Sequence, residues 1–192
     1  MQSIPHNAVL LLIDVQKGFD HPNHWGKRNN PPAEHNMKRL LILWRNTGRP
    51  VIHVRHMSKE ADSPLRPGQP GNEFKDEFLP FQGEYVVLKT VNSAFIGTDL
   101  EAYLREHKYD TVIIAGISTD HCVSTTTRMS ANLGFNTLVV ADACHTFNRS
   151  TYDGKELDAD AVHAAALASL HGEFATVLDS REVIKLVQKQ TV

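Results

Sequence analysis

Short apolar runs alternate with longer segments of helical spacing along this chain, and that alternation restricts it to very few folds. Runs such as Val9-Leu10-Leu11-Leu12-Ile13 and Thr111-Val112-Ile113-Ile114 are apolar at nearly every position rather than at every second one, the pattern of strands covered on both faces. The sequence predicts strands over 9–13, 50–54, 85–88, 111–115, 137–140 and 174–178, with helices over 33–47, 98–107, 120–133, 158–170 and 180–188. Gly48, Gly134 and Gly172 stand just past helix ends, where a left-handed residue closes the last turn. Strand, helix, strand in almost unbroken order implies an α/β fold: a doubly wound, mostly parallel six-stranded sheet with helices on both faces, a Rossmann-like three-layer sandwich.

At 192 residues the chain has the size of a single domain spanning 1–192. Its formal net charge of -2 and 22% charged residues give no surface for a polyanion, so nucleic acid is not an expected partner. The apolar run 8–13 stops at Asp14 and has no basic flank, unlike a secretion signal. No apolar stretch nears the roughly 20 residues of a membrane-spanning helix, so no membrane partner is expected. Two cysteines make no disulfide framework, and a cytoplasmic location is the expectation.

Three connections, 18–32, 57–84 and 146–155, are long and poor in helix. Each follows a predicted strand, so each belongs over the carboxyl edge of the sheet, where open α/β folds bind ligands. The same edge collects three reactive side chains. Asp14 ends the first strand in "LLIDVQKGF", Lys89 ends the third in "VVLKTVNSAF", and Cys122 follows the fourth in "AGISTDHCVSTTTRM". Alone, each has a plain reading: Asp14 as a cap, Lys89 as a solvated charge, Cys122 as a small buried hydrophobe. Together they make an acid, an amine and a thiol on one sheet edge. With Thr119 or Asp120 as the helix cap, Cys122 falls in the first turn. There the helix dipole and a nearby Lys89 ammonium are expected to push the thiol pKa below its free value of about 8.5, with Asp14 placed to take the proton.

These blocks, continued by "SANLGFNTLVVADAC", resemble the isochorismatase-like cysteine hydrolases over nearly the whole chain, a family that includes nicotinamidases and N-carbamoylsarcosine amidohydrolase. The resemblance implies a catalytic triad of Asp14, Lys89 and Cys122, a cis peptide between Ile117 and Ser118, and an oxyanion hole made by the backbone N–H groups of Ser118 and Cys122. It also implies a small-molecule substrate and a homodimer or homotetramer. Nicotinamidases typically carry a metal site with an Asp-x-His pair after the second strand. Here "VIHVRHMSKEADS" offers His53, Arg55 and His56 without that pair, so no metal and no other cofactor is expected. His53 and His56, an odd number of residues apart on a strand, face opposite sides.

The resulting expectation is a cysteine-dependent hydrolase of a small C–N bond, whether amide, ureido or lactam, working through a thioester. Vinyl ether hydrolysis of the isochorismatase type is the alternative, and a thiol redox sensor or binding module without turnover is a third reading. Phe19, Trp25, Phe95, His121 and Phe147 are the candidate substrate contacts, and Arg55 and Arg66 are candidate carboxylate binders. Cys144 is expected to pack beside the site and Asp142 to serve as a cap or support.

Overall fold

The computed structural model, which describes residues 3–189, places the five apolar residues of β1 (Val9–Ile13) in the interior of a six-stranded sheet. In chain order there follow α1 (Pro22–Trp25), α2 (Ala33–Asn46), β2 (Val51–His56), β3 (Tyr85–Lys89), α3 (Leu100–Glu106), β4 (Thr111–Ile117), α4 (Ser124–Asn132), β5 (Asn136–His145), β6 (Arg149–Ser150), β7 (Glu156–Leu157), α5 (Ala159–Leu170), β8 (Thr176–Leu178) and α6 (Ser180–Gln188). The sheet runs β3-β2-β1-β4-β5-β8, and every neighbouring pair in it is parallel. The expected architecture is therefore present, with no antiparallel strand in the main sheet.

Period-two alternation divides the strand residues between two cores. Leu10, Leu12, Ile113, Ala115 and Leu138 pack with Met37, Leu40, Leu41 and Trp44 of α2 and with Val183 and Val187 of α6. Val9, Leu11, Ile13, Val112, Ile114 and Val139 pack on the other face with Leu100 and Leu104 of α3, Val123 and Leu170. Polar groups close the helix ends: Asp158 accepts from the Ala161 N–H at 2.8 Å, and Asp179 with Glu182 forms a capping box on α6. The buried Trp44 indole donates to the Ala8 carbonyl at 2.9 Å. No helix among the described residues is long and apolar enough to cross a membrane.

Several elements depart from the sequence reading where tertiary pairing overrides local pattern. β2 continues two residues past 54 to His56, because Arg55 and His56 pair with Leu88 and Lys89. β5 continues to His145, although "ADACH" is not strand-like in composition. The pairing jumps from Ile114–Val139 to Gly116–Cys144, so a bulge absorbs the polar residues. The segment predicted as one helix from 120 begins instead as a π-helical turn, Thr119–Val123, and becomes α-helical at Ser124. The helix expected over 98–107 spans only Leu100–Glu106, and the last strand only Thr176–Leu178. The 146–155 connection holds β6, which pairs antiparallel with β7 just past its end.

After β3 the chain returns to lay β4 against the free side of β1, so strand order reverses between β1 and β4. Asp14 and the turn carrying Cys122 both leave the sheet at this crevice, the position at which doubly wound sheets bind ligands. The close approach of β4 to β1 there requires a glycine. Gly116 has φ +140, and a Cβ on it would stand 2.1 Å from the Ile13 carbonyl oxygen. Gly116→Ala is expected to destabilise the protein by about 3 kcal/mol or more. Gly134→Ala, at φ +88 with open space around it, is expected to cost about 1 kcal/mol. Urea denaturation midpoints of the two variants check both values.

Candidate active site at the strand-order reversal

Lys89 must reach across β2 to meet β1, two strand spacings of about 4.8 Å each, and a long side chain is what makes that possible. Its Nζ lies 2.7 Å from Asp14 Oδ2, 3.0 Å from His56 Nδ1 and 3.2 Å from Cys122 Sγ. The Asp14 and Lys89 side chains have no exposed surface, and Cys122 retains 9%. The three expected residues thus come together around one ammonium, with His56 as a fourth member. Asp14 sits at φ +52, and its N–H donates to the Val54 carbonyl at 2.9 Å, which turns its carboxylate over the strand end.

The thiol is carried by the π turn. The Ile117–Ser118 peptide is cis, Ser118 caps the turn, and its carbonyl accepts from the His121 and Val123 N–H groups, each at 3.2 Å. Asp120 is clamped from outside: Arg149 Nε donates to it at 2.7 Å and Thr146 Oγ1 also donates to it. Thr119 Oγ1 pairs with His163 Nδ1 at 2.8 Å on α5. These bonds fix Cys122 over the crevice.

The expected depression of the thiol pKa is overturned. Burial, the largest influence, pushes the Cys122 thiol up, and the adjacent Asp14 charge adds to it, while Lys89 opposes both without prevailing. For Lys89, burial alone would favour the neutral amine, but Asp14 and Cys122 outweigh it and raise the pKa. Burial and the Lys89 charge lower that of His56. The resting site is therefore a neutral thiol and a neutral imidazole beside an Asp14–Lys89 ion pair. Cys144 is fully buried, and its thiol is pushed up to about 12 by burial. Asp142 accepts from the Ser180 N–H at 2.6 Å and from Asn36 Nδ2 at 3.1 Å, a cap on α6 as expected.

Above Asp14 and Cys122 opens a cavity of about 270 Å³. Of the expected contacts, Phe19, Trp25 and His121 line it. Phe147 does not: it stacks behind the wall, 6.1 Å from Phe19 and 5.6 Å from Trp25. Phe95 lies in the core beside Cys122, stacked on Phe135 at 6.0 Å. Both are anchors of apolar area rather than cavity walls. Arg55 turns away, with Nε on Asn72 Oδ1 at 3.0 Å and its guanidinium over Phe74, and Arg66 is not part of the lining. The rest of the wall comes from Ser58, Glu60, Ser63 and Leu65 of the 57–84 connection together with His56, Asn92 and Ser118.

Residues that the sequence did not single out hold that connection down. The buried Gln16 donates from Nε2 to the Asn72 carbonyl at 2.8 Å and accepts the His56 N–H on Oε1 at 2.9 Å. Asn72 Nδ2 donates to the carbonyls of His56, at 2.8 Å, and Leu65. Gly18 and Gly71 pack backbone to backbone: a Cβ on Gly71 would meet the Pro64 carbonyl oxygen at 2.4 Å. The one available sequence signal was an amide two residues beyond Asp14 in "DVQ", too weak alone to mark a buried network. His53 faces the opposite side from His56, paired with Glu84 at 2.8 Å.

A metal such as nicotinamidases carry does not fit the donor set. Among the described residues, Asp14, His56 and Cys122 offer ligand atoms within 4.8 Å of one another. The Lys89 ammonium already lies 2.7 to 3.2 Å from all three, and a metal ion bound there would face an unscreened like charge.

Removing one member of the buried pair isolates the other. Lys89→Met is expected to cost about 3–5 kcal/mol, and the double variant Asp14→Asn/Lys89→Met to recover most of it, measured by chemical denaturation. Because the folded-state pKa of Lys89 is raised above its ordinary 10.5, its contribution is fully present below that pH and lost as pH rises through the folded value. Alkaline unfolding above about pH 10.5 should therefore be steeper in the parent protein than in the double variant.

Residues 8–182 match the isochorismatase domain. The isochorismatase family protein YrdC of Bacillus subtilis (strain 168) is 45% identical over 176 residues, covering 92% of this chain and 94% of YrdC. A Chromobacterium violaceum structure assigned to the hydrolases of the isochorismatase family superposes with TM-score 0.94 at 44% identity, covering 98% of this chain and 97% of that one. Maleamate amidohydrolase of Pseudomonas putida is 27% identical over 195 residues, covering 92% of this chain and 86% of the amidohydrolase. A domain match over most of the sequence, and relatives this similar along nearly their whole lengths, show that the chain belongs to the isochorismatase family of hydrolases.

Proposed function

We propose that this chain hydrolyses a C–N bond of a small amide, ureido or lactam compound through a thioester on Cys122. The observation that carries the reading is one ammonium, Lys89 Nζ, in contact with both the Asp14 carboxylate at 2.7 Å and the Cys122 sulfur at 3.2 Å, beneath a cavity of small-molecule size. A family member whose name describes amide hydrolysis supports it.

The raised thiol pKa shapes the mechanism. No standing thiolate is needed, because the proton leaves only as the substrate carbonyl arrives. Asp14 takes it, Sγ forms a bond to the carbonyl carbon, and Lys89 offsets the negative charge passing through sulfur. The N–H groups of Ser118 and Cys122 are assigned to the carbonyl oxygen as it becomes an oxyanion. Collapse breaks the C–N bond, and Asp14 hands its proton to the departing nitrogen. Water then attacks the thioester, Asp14 takes a proton from it, the C–S bond breaks, and that proton returns to the sulfur as the carboxylic acid leaves. Each cycle begins and ends with a thiol beside a carboxylate, and uses no metal or cofactor.

Assembly into a homodimer or homotetramer is part of this reading. Val86 and Leu88 on the outer strand β3, with Leu79 and Phe81 close by in sequence, are 37 to 61% exposed and supply apolar surface for it. Two free, buried cysteines suit a reducing cytoplasm.

Ammonia release from primary amides and carbamoyl compounds, chromatographic detection of the ring-opened amino acid from lactams, and pyruvate release from isochorismate as the vinyl ether control together identify the reaction. Cys122→Ala is expected to abolish turnover, and Asp14→Asn to lower kcat by about 10²–10⁴. Intact-protein mass spectrometry on a slow substrate is expected to find the acyl adduct on Cys122. Treatment with EDTA is expected to leave the rate unchanged. An active Cys122→Ala protein overturns the proposal.

A further inference from the structure

The charges lining the cavity leave one group unanswered. Asp14 and Lys89 neutralise each other at the floor, and no other lysine or arginine lines the space among the described residues. Four cations of the surrounding elements are engaged elsewhere: Arg149 on Asp120 at 2.7 Å, Arg55 on Asn72 at 3.0 Å, and Arg28 and Lys75 on Glu34 at 2.7 and 2.9 Å, while Lys59 and Arg66 of the 57–84 connection are not part of the lining. Glu60 lines the cavity with no cation in ion-pair contact among the described residues. Its backbone is fixed by its N–H donating to Ser58 Oγ at 3.2 Å and its carbonyl accepting from the Ser63 N–H at 3.3 Å. A carboxylate on a substrate requires a guanidinium, an ammonium or a cluster of N–H donors to replace its water. This cavity offers no lysine or arginine, only the neutral polar groups of Ser58, Ser63, Asn92 and its histidines, and at its exposed rim it adds the Glu60 carboxylate.

We infer that Glu60 sets substrate charge: the end of the substrate remote from the scissile bond is uncharged or cationic and offers N–H donors to Glu60, and amides that carry a carboxylate are rejected. The reaction in this statement rests on the hydrolase reading, while the charge preference does not. Maleamate, the compound in the name of one relative, is a carboxylate-bearing amide, so this chain takes a different class of substrate from the one that name describes. Opposed unit charges in a partly screened cavity change affinity by about tenfold or more.

Three amides of matched length test this: β-alaninamide is cationic, butanamide neutral and succinamate anionic at pH 7. The expected kcat/KM for ammonia release falls from β-alaninamide through butanamide to succinamate, with a total span of about tenfold or more. Glu60→Gln should narrow the ratio of cationic to anionic substrate about tenfold, and Glu60→Lys should invert it. Alkylation of Cys122 by iodoacetamide and iodoacetate, each normalised to its rate with glutathione, reads the same charge without turnover. The protein should disfavour the anionic reagent relative to glutathione, and Glu60→Gln should relax that bias. Succinamate or maleamate as the best substrate, or a ratio unmoved by Glu60→Gln in both assays, overturns the inference. A reagent bias that depends on Glu60 in a protein inactive on every amide leaves the charge preference standing and removes the hydrolase reading. Failure of both reagents to reach Cys122, together with absent turnover, overturns both.

Discussion

A buried ammonium holds this molecule's functional edge together. Lys89 Nζ is out of contact with solvent and is satisfied by a carboxylate, an imidazole nitrogen and a sulfur, each delivered by a different part of the chain. A charge in such a place is tolerated only while its partners stay where they are. The ends of β1, β2 and β3 and the turn after β4 are therefore tied to one point. The same contact sets the protonation pattern: the Lys89 amine is held in its charged form, while the imidazole is pushed toward neutrality and the sulfur toward keeping its proton.

Around that point the fold separates rigid from variable parts. Parallel strands with side chains committed to two cores fix the floor. The roof is the 57–84 connection, which has little secondary structure but is pinned by the amides of Gln16 and Asn72 and by the close contact of Gly18 with Gly71. Arg28, Glu34 and Lys75 add a second fastening, through ion pairs that also reach Asp20. Burial works against the Glu34 carboxylate, yet Arg28, His145 and Lys75 hold its pKa well below the usual carboxylate range.

The sheet and its parallel order were legible in the sequence because continuous apolar runs have few other uses, and the convergence of Asp14, Lys89 and Cys122 followed from that order. What stayed hidden depended on contacts distant in sequence. Nothing in the sequence marked His56 as a neighbour of the Lys89 ammonium, which it meets because the two pair at the end of β2 and β3, and the polar end of β5 gave no sign that a bulge would seat it against Gly116. The direction of the thiol shift was misread because a helix start can be recognised locally, whereas the depth at which Cys122 is buried cannot. Aromatic residues on connections looked alike from composition. Only packing separates Phe19 and Trp25, which face the cavity, from Phe147 and Phe95, which support or underlie it.

The fastening of the 57–84 segment at Gln16, Asn72 and Gly71 leaves its stretch from Ser58 to Leu65 free of any duty toward the ammonium. Selection can rewrite those few positions and change which metabolite is admitted while the bond-breaking apparatus is inherited intact. Descendants of one ancestral scaffold could in this way diverge in diet long before they diverge in chemistry.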